Sequence, residues 1–113
     1  MEKESISFED FSKMDFRVVK ILGASKIKKT SELLLLNVDL GTEVRSVVSG
    51  IAKDYSLEVL IGLDVILLCN LKPYFIKGVV SQGMILMTKD QNGKMIFITP
   101  DSIKQTIPGL KIS

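Results

Sequence analysis

The chain has 113 residues, a length that suits one domain. Its apolar content of 46% suffices for one hydrophobic core and excludes a mainly disordered chain. The longest apolar runs, Leu33–Leu36 and Val65–Cys69, are far shorter than the roughly 18 residues of a membrane-spanning helix. Residues 1–5 carry three charges and lack the apolar segment of a secretory signal, so we expect a cytoplasmic protein that does not bind membranes.

Two features of the composition exclude most enzyme chemistry. The chain contains no histidine, which excludes a Ser-His-Asp triad, an imidazole base and a histidine-ligated metal. Its one cysteine, Cys69, lies in an apolar run, which predicts a small buried side chain and excludes an intrachain disulfide. No close pair of carboxylates stands out among the 13 acidic residues. We therefore expect a non-catalytic protein with no metal site and no cofactor.

The positive charge is small in sum and uneven along the chain. A net charge of +2 does not by itself indicate a nucleic-acid ligand. Two local clusters do suggest one: Lys26-Ile27-Lys28-Lys29, and the pair Lys72 and Lys77 around aromatic residues. Such clusters can follow a phosphate backbone, but surface lysines are often only solvated. Charge alone leaves both interpretations open.

The predicted elements begin with a helical turn, because Ser7 can cap it with Asp10 three residues later. Alternating apolar residues then predict strands, and Ser56 and Gly62 bound a second short helix. In chain order the elements are a helix at 8–14, a strand at 16–22, a hairpin of strands at 34–40 and 44–48, a helix at 57–61, and strands at 64–69 and 80–88. An Asn92-Gly93 turn, the apolar run 95–98 and a last short apolar stretch after Pro108-Gly109 follow.

This order of elements predicts an all-β fold. Three strands, a short helix and two further strands are the chain order of a five-stranded Greek-key barrel of the oligonucleotide/oligosaccharide-binding (OB) type. We expect one domain over residues 1–113, with the barrel at about 8–88 and a C-terminal β extension at about 89–113. Ligands of such barrels usually contact strands two and three and the loops after strands one and four. The lysine clusters fall in those two loops, so we expect the loops to lie side by side and form one cationic surface.

Five ordered segments resemble successive motifs of the tRNA-binding domain family. They are Asp15–Val18, Val38–Gly41, Val48–Ile51, Asn70–Pro73 and Gly78–Met84. The likeness runs from about Phe8 to Gly109. The family includes the C-terminal domains of bacterial methionyl-tRNA synthetases, β subunits of split synthetases and free-standing tRNA-binding proteins. The segment Lys26–Leu34 is most similar to the methionyl-tRNA synthetase version.

The resemblance implies a homodimer that recognises tRNA by shape, with little reading of base sequence. It implies a module without an active site, either the C-terminal domain or the β subunit of a methionyl-tRNA synthetase, that raises tRNA affinity beside a catalytic chain. Two alternatives stay open. One is a peptide-binding chaperone on the same fold, and the other is a purely structural dimerisation domain.

The resemblance also implies which residues face tRNA. These are Lys28, Lys29, Arg45, Ser49, Asn70, Lys72, Lys77, Ser81, Gln82 and Met84. Three positions have structural alternatives. Strand periodicity would place Met84 in the core, and Asn70 could cap a turn before Pro73. Arg17 could contact a phosphate or form an ion pair with Asp15 or Asp39.

The C-terminal extension is where the family forms its dimer contact. The implied interface residues are Met95, Phe97, Ile103, Ile107 and Leu110. The alternative for these side chains is packing against their own barrel. The connector after the fourth strand departs from the family pattern, since it has Tyr74, Phe75 and Ile76 where more basic residues are usual. Those aromatic residues can stack on bases or pack against a partner subunit, and we expect weak, salt-sensitive binding of tRNA.

Overall fold

The computed structural model describes residues 2–113. The helices are α1 (Phe8–Ser12) and α2 (Leu57–Leu60). The strands are β1 (Phe16–Lys26), β2 (Leu34–Asp39), β3 (Val44–Ser49), β4 (Asp64–Leu68), β5 (Tyr74–Ile76), β6 (Val79–Ser81), β7 (Met84–Ile85), β8 (Met87–Lys89) and β9 (Met95–Phe97). Within the described residues, neither helix has the length and apolarity needed to cross a membrane.

The barrel is organised around β1, the longest strand. Its main sheet has the order β3-β2-β1-β4-β7, and every pairing in it is antiparallel. Residues 16–20 of β1 pair with β4 and residues 20–26 pair with β2. The register shifts between Ile21 and Gly23, so the exposed Leu22 forms a bulge, which bends a strand and increases its twist. The predicted end of this strand at Gly23 was therefore too early, because the bulge lets it continue to Lys26.

Hydrogen bonds between β3 and residues 80–82 close the barrel. The Ser46 hydroxyl donates to the Val80 carbonyl at 2.7 Å, and the backbone amide of Gln82 donates to the Ser46 carbonyl at 2.9 Å. The Ser81 hydroxyl accepts a hydrogen bond from the Val48 amide at 3.0 Å. We call these contacts the seam. They complete a nearly closed five-stranded barrel and confirm the predicted all-β, OB-type fold.

The predicted fifth strand, 80–88, is divided into three short pieces. The chain turns at Gln82-Gly83 between β6 and β7, and Leu86 separates β7 from β8. Gly83 has a φ of 135°, and a Cβ there would lie 2.7 Å from the Leu68 carbonyl oxygen. Glycine is therefore required at this turn, and a turn at that point interrupts the strand.

The core follows from the alternation of side chains along the strands. Leu34, Leu36 and Val38 are at most 1% exposed and point into the barrel from β2. Leu60 of α2 is fully buried and closes one end of the core. Each such side chain contributes about 1.5–3 kcal/mol relative to full exposure. Cys69 is also buried, as the sequence predicted, and burial raises the pKa of its thiol.

The C-terminal segment adds a further strand-like edge beside β1. The Val18 amide donates to the Leu110 carbonyl at 2.9 Å, the Gly109 amide to the Val18 carbonyl at 2.7 Å, and the Ile112 amide to the Phe16 carbonyl at 2.9 Å. Residues 109–112 thus pair with the part of β1 that β2 does not reach. The predicted Asn92-Gly93 turn joins β8 to β9, where Asp90 Oδ1 accepts hydrogen bonds from the amides of Asn92 and Lys94.

The turn between β2 and β3 meets the C-terminal segment closely enough to require glycine. Gly41 has a φ of 86°, and a Cβ there would lie 2.6 Å from the Pro108 carbonyl oxygen. We predict that Gly41→Ala lowers the free energy of unfolding by about 1–2 kcal/mol from the left-handed backbone, plus about 1–3 kcal/mol from the overpacked contact. Urea denaturation measures the loss.

Gly93→Ala is the matched control for this variant. Gly93 has a similar φ of 79°, but a Cβ there would meet no atom within 4 Å beyond its chain neighbours. It should therefore lose only the backbone contribution of about 1–2 kcal/mol. Equal losses in the two variants would show that the contact with Pro108 is unimportant.

The buried Ser81 hydroxyl generates a second prediction about stability. Besides accepting from Val48, it donates to the Gly83 carbonyl at 3.2 Å. We predict that Ser81→Ala lowers the free energy of unfolding by about 1–3 kcal/mol, because two buried backbone groups lose their partner. Ser49→Ala is the control, since the Ser49 hydroxyl has only a 3.8 Å contact with Met87 Sδ. The control should change stability by about 0.5 kcal/mol or less, and an equal effect in both variants would contradict the assignment.

Candidate nucleic-acid interface

A polar groove of about 360 Å³ lies between the start of β3 and the loop that follows β4. Four of the residues selected from the sequence line it: Arg45, Asn70, Lys72 and Gln82. Glu43, Cys69, Leu71 and Pro73 complete its walls. The fold thus brings together residues that are up to 39 positions apart in the chain, counted from Glu43 to Gln82.

Arg45 is held in place on the wall of this groove. Its Nη2 lies 2.7 Å from Glu43 Oε1, and its Nη1 donates to the Cys69 carbonyl at 2.7 Å. Only 24% of its side chain is exposed. The guanidinium therefore fixes the loop after β4 against β3, and Glu43 neutralises much of its charge. Arg45 therefore fixes the shape of the groove but adds little net positive charge to it.

Asn70 connects the groove to the segment between α1 and β1. Its Oδ1 accepts a hydrogen bond from the Asp15 amide at 2.9 Å, and its Nδ2 donates to the Lys13 carbonyl at 2.6 Å. The side chain thus ties two distant segments together, whereas the sequence alternative had it capping a turn before Pro73. Its exposed position still places it on the groove surface.

Arg17 forms one of the ion pairs that the sequence left open. Its Nε and Nη2 donate to the two carboxylate oxygens of Asp15 at 3.0 and 3.2 Å. The hydrogen bond from Arg17 lowers the pKa of Asp15 below its usual value. Asp39 instead accepts a hydrogen bond from the Gly41 amide at 2.7 Å. Arg17 therefore forms a structural ion pair. Because it neutralises the Asp15 carboxylate, this carboxylate does not repel a nearby phosphate.

The selected residues of β3 and of the segment 81–84 lie on or near the seam. Gln82 is half-buried, and its Oε1 accepts from the Ser46 amide at 3.1 Å. Ser49 is also half-buried, at the far end of β3. Ser81 is fully buried, which corrects the expectation that it lines the surface: its hydroxyl is used by the Val48 amide and the Gly83 carbonyl. Met84 is 49% exposed and so lies on the surface, not in the core as periodicity suggested.

The selected lysines are exposed, and the backbone presents two of them in an unusual conformation. Lys28, Lys29, Lys72 and Lys77 form no ion pair within the described residues. Lys29 and Lys77 have φ values of 66° and 50°, and in residues 2–113 they are the only non-glycine residues with positive φ. This conformation costs an L-residue about 1–2 kcal/mol. Strained backbone conformations of this kind are often found at functional sites.

The two lysine-bearing loops do not lie side by side, contrary to the sequence expectation. Lys28 and Lys29 follow the end of β1, where Leu34 pairs with Ser49 at the last residue of β3. The groove lies at the other end of β3, where Arg45 contacts Cys69. The six residues of β3 separate the two places by about 17 Å, at about 3.4 Å per residue. The cationic surface therefore has two centres, one at each end of β3.

Acidic residues are rare around the groove. The chain has no Asp or Glu between Asp64 and Asp90, and this interval contains Lys72, Lys77 and Lys89. Glu43, which lines the groove, and Asp15, whose backbone amide binds Asn70, each pair with an arginine. The positive charge of Lys72 and Lys77 is therefore not offset locally, although the net charge of the chain is only +2.

Ser46 was missed by sequence reasoning. Its hydroxyl, amide and carbonyl all take part in the seam that positions Gln82. The available signal was a small polar residue in the middle of the strand Val44–Ser49, beside apolar neighbours. Without the partner strand, nothing in the local sequence separates such a residue from an ordinary solvent-facing serine.

The residues selected for a dimer contact divide into two groups. Met95 and Phe97 pack against their own core: the Phe97 ring lies 5.1 Å from that of Tyr55, whose hydroxyl donates to the Met95 carbonyl at 2.8 Å. Ile103, Ile107 and Leu110 are 85%, 66% and 42% exposed.

The helix α1 adds apolar surface that the sequence analysis did not include. An apolar groove of about 390 Å³ lies between α1 and the C-terminal residues Lys111–Ser113. Phe8 and Phe11 line it and are 81% and 38% exposed, and no residue of α1 is buried. Large apolar side chains therefore remain uncovered at this end of the described structure.

Among curated proteins, the chain is similar to methionine–tRNA ligases. The chain is 52% identical over 101 residues to that of Flavobacterium johnsoniae, which covers 89% of this chain and 14% of that protein. It is 46% identical over 111 residues to that of Archaeoglobus fulgidus, covering 98% of this chain and 16% of that protein. The chain thus spans about one seventh of the length of these relatives.

Solved structures share the whole fold. A methionyl-tRNA synthetase (MetRS) related protein from Pyrococcus horikoshii superposes with a TM-score of 0.86 at 35% identity, covering 98% of this chain and all of that one. The chaperone CsaA of Bacillus anthracis superposes with a TM-score of 0.85 at 26% identity, covering 97% of this chain and all of that one.

A match to a described family covers most of the chain. The family is described as "Putative tRNA binding domain", and the match spans residues 16–108. This range contains β1 to β9 and all of the lysines selected for the interface. The chain belongs to the tRNA-binding domain family.

Proposed function

We propose that this chain is a non-catalytic, dimeric module that binds tRNA by its shape and raises the tRNA affinity of a methionyl-tRNA synthetase. It would do so as the C-terminal domain or as the β subunit of that enzyme. The observation that carries the proposal is a pair of exposed lysines: Lys72, which lines a groove whose carboxylate Glu43 is already paired with Arg45, and Lys77, on the hairpin that follows. The family and the names of the relatives support it.

Phosphates are the ligand groups that this surface suits. An RNA duplex exposes phosphates and 2′-hydroxyls more readily than base edges, so recognition rests on backbone geometry. Lys28 and Lys29 lie near one end of β3 and Lys72 near the other, so the two centres are separated by the strand, whose length is about 17 Å. Only a ligand that holds phosphates at that separation can contact both centres at once. A folded RNA does this without further ordering, which gives selectivity for structure.

Few lysines take part, so binding should be weak and salt-sensitive. Each phosphate contact releases counterions, and affinity therefore falls as salt rises. In this role the chain needs no active site and no cofactor. Aminoacylation would belong to a catalytic chain of the synthetase, in the cytoplasm where tRNA is charged. The module's contribution is to keep tRNA near that chain.

The dimer would use the exposed apolar side chains of the C-terminal segment and of α1. These are Ile103, Ile107 and Leu110, together with Phe8 and Phe11. Apolar side chains grouped on a surface are typical of a protein–protein contact. A second copy would bury them and double the number of lysine centres, which raises the affinity for tRNA through avidity.

A peptide-binding chaperone is the second candidate function. The likeness to CsaA structures and the apolar groove of about 390 Å³ beside α1 favour it. If the groove is covered in a dimer, it is closed to peptides. A purely structural dimerisation domain, with lysines that bind nothing, is the remaining alternative, and the absence of tRNA binding would identify it.

The exposed lysines Lys72 and Lys77 generate a prediction about tRNA binding. We predict that the double variant Lys72→Gln/Lys77→Gln binds several tRNA species more weakly by a similar factor. The slope of log affinity against log salt should fall by about 1–2, because up to two phosphate contacts are lost. Fluorescence anisotropy with labelled tRNA at several salt concentrations measures both quantities.

Lys94→Gln is the control for charge. Lys94 is also exposed, in the turn between β8 and β9 and outside the proposed interface. It should leave the affinity and the salt slope nearly unchanged. A double variant that binds like the wild type, or a control that weakens binding as much, would remove the groove from the interface.

The exposed apolar side chains of the C-terminal segment generate a prediction about assembly. We predict that Ile103→Asp/Ile107→Asp is a monomer in sedimentation velocity, under conditions in which the wild type is a dimer. Both side chains are largely exposed in the single chain, so the variant should keep its fold. Val59→Asp, at an apolar position on α2 that is 56% exposed, should stay dimeric. A wild type that sediments as a monomer would rule out the dimer.

A further inference from the structure

The hairpin formed by β5 and β6 carries two aromatic side chains, of which Phe75 is far more exposed than Tyr74, which is 39% exposed. Phe75 pairs with Val80, and Tyr74 pairs with Ser81. Side chains alternate across a strand, so Tyr74 shares a face with the buried Ser81, and Phe75 lies on the opposite face. Phe75 is 84% exposed. The hairpin therefore turns one face towards the barrel and carries the Phe75 ring on the other.

The fold holds this hairpin in place. At its base, the Ser81 hydroxyl and the Ser46–Val80 hydrogen bond attach β6 to β3. At its tip, Lys77 and Gly78 both have positive φ, as a two-residue turn of type I′ requires. The ring of Phe75 is thus presented on a short, anchored hairpin, which reduces the entropy that a ligand must remove on binding.

The charged residues that flank Phe75 in the sequence are all positive. Lys77 is two residues away and Lys72 three residues away, about 7 and 10 Å along an extended chain. No acidic residue occurs between Asp64 and Asp90. A ligand that covers the aromatic ring and also carries negative charge on either side of it fits this arrangement.

A nucleotide with an unstacked base has these properties. Its base offers a flat face to an aromatic ring, and its phosphates lie on either side. Stacking of this kind is worth about as much as a strong polar contact and is tolerant of base identity. A base inside a duplex cannot reach the ring, because its faces are covered by its neighbours.

We propose that Phe75 stacks on an unpaired nucleobase of the bound RNA, while Lys72 and Lys77 contact the flanking phosphates. This inference rests on the proposed function, and it adds a second requirement to recognition by shape: the RNA must present an unpaired nucleotide beside its helical part. The lysines supply affinity for any RNA backbone, and Phe75 distinguishes RNA with unpaired bases from a continuous duplex.

The test uses the full chain with three RNAs: a tRNA, an RNA stem-loop, and a blunt-ended duplex with the same number of phosphates as the stem-loop. Phe75→Leu keeps an apolar side chain but removes the aromatic face. Its affinity for tRNA and for the stem-loop should fall by between about 5- and 150-fold, the range for loss of one stacked base. Its affinity for the blunt duplex should stay as in the wild type.

A fluorescent variant reports stacking directly. The chain contains no tryptophan, so Phe75→Trp introduces a single tryptophan emitter. Its fluorescence should be quenched by tRNA and by the stem-loop but not by the blunt duplex, with affinities near those of the wild type. Val59→Trp is the matched control, because Val59 is 56% exposed on α2 and belongs neither to the hairpin nor to the proposed dimer contact. Its fluorescence should not respond to the stem-loop.

The outcomes separate this inference from the proposed function. If wild-type protein binds tRNA and Phe75→Leu binds it equally well, stacking is wrong and the tRNA-binding function stands. Equal quenching of the Phe75→Trp variant by the duplex and the stem-loop also overturns it. Dissociation of the dimer by Phe75→Leu, seen in sedimentation velocity, would assign Phe75 to a contact between subunits and overturn stacking. Absence of tRNA binding by the wild type overturns both proposals.

Discussion

The candidate interface depends on how the barrel is closed. Strands β3 and β6 share no regular ladder, and the gap between them is bridged by the hydroxyls of Ser46 and Ser81 and the side chain of Gln82. These bonds leave no buried side-chain polar atom without a partner in the described residues. They also anchor the β5–β6 hairpin, and through it the position of Lys77 and Phe75. The seam therefore connects the stability of the barrel with the geometry of the surface.

Arginine and lysine have different tasks around the groove. Arg17 and Arg45 are three-quarters buried and bind a carboxylate each, and Arg45 also binds a backbone carbonyl. The planar guanidinium suits such fixed, multiple hydrogen bonds. The lysines stay exposed and flexible, and they carry the charge that a polyanion meets first. A chain with a net charge of +2 can in this way keep a locally cationic surface, because its carboxylates near the groove are neutralised within the fold.

Most of the fold could be predicted from the sequence, because it follows from local patterns. Alternation at Leu34, Leu36 and Val38 identified β2, and the Gly41 turn identified the hairpin with β3. The bulge at Leu22 and the division of the fifth strand at Gly83 were not predicted. Both depend on a partner strand: the bulge on where β2 pairs, and the turn on the approach of the Leu68 carbonyl.

The site was predicted less well than the fold, for a related reason. Motif positions indicated Arg45, Asn70, Lys72 and Gln82, and the structure does place them around one groove. The same motif included Ser81, whose burial arises from the seam and leaves no local trace in the sequence. The separation of the lysine loops depends on two things. The length of β3 was predicted to within one residue, but the sequence did not indicate which loop lies at which end of this strand.

The C-terminal residues that lie along β1 also protect the molecule from unwanted strand exchange. Where β2 ends, the backbone groups of Phe16 and Val18 would form an open sheet edge, but Gly109, Leu110 and Ile112 occupy it. An open edge invites the equivalent segment of a second molecule to add on. Shortening the chain before Gly109 would expose this edge and favour swapped or polymeric forms. The last few residues thus prevent self-association by strand pairing at this edge of the sheet.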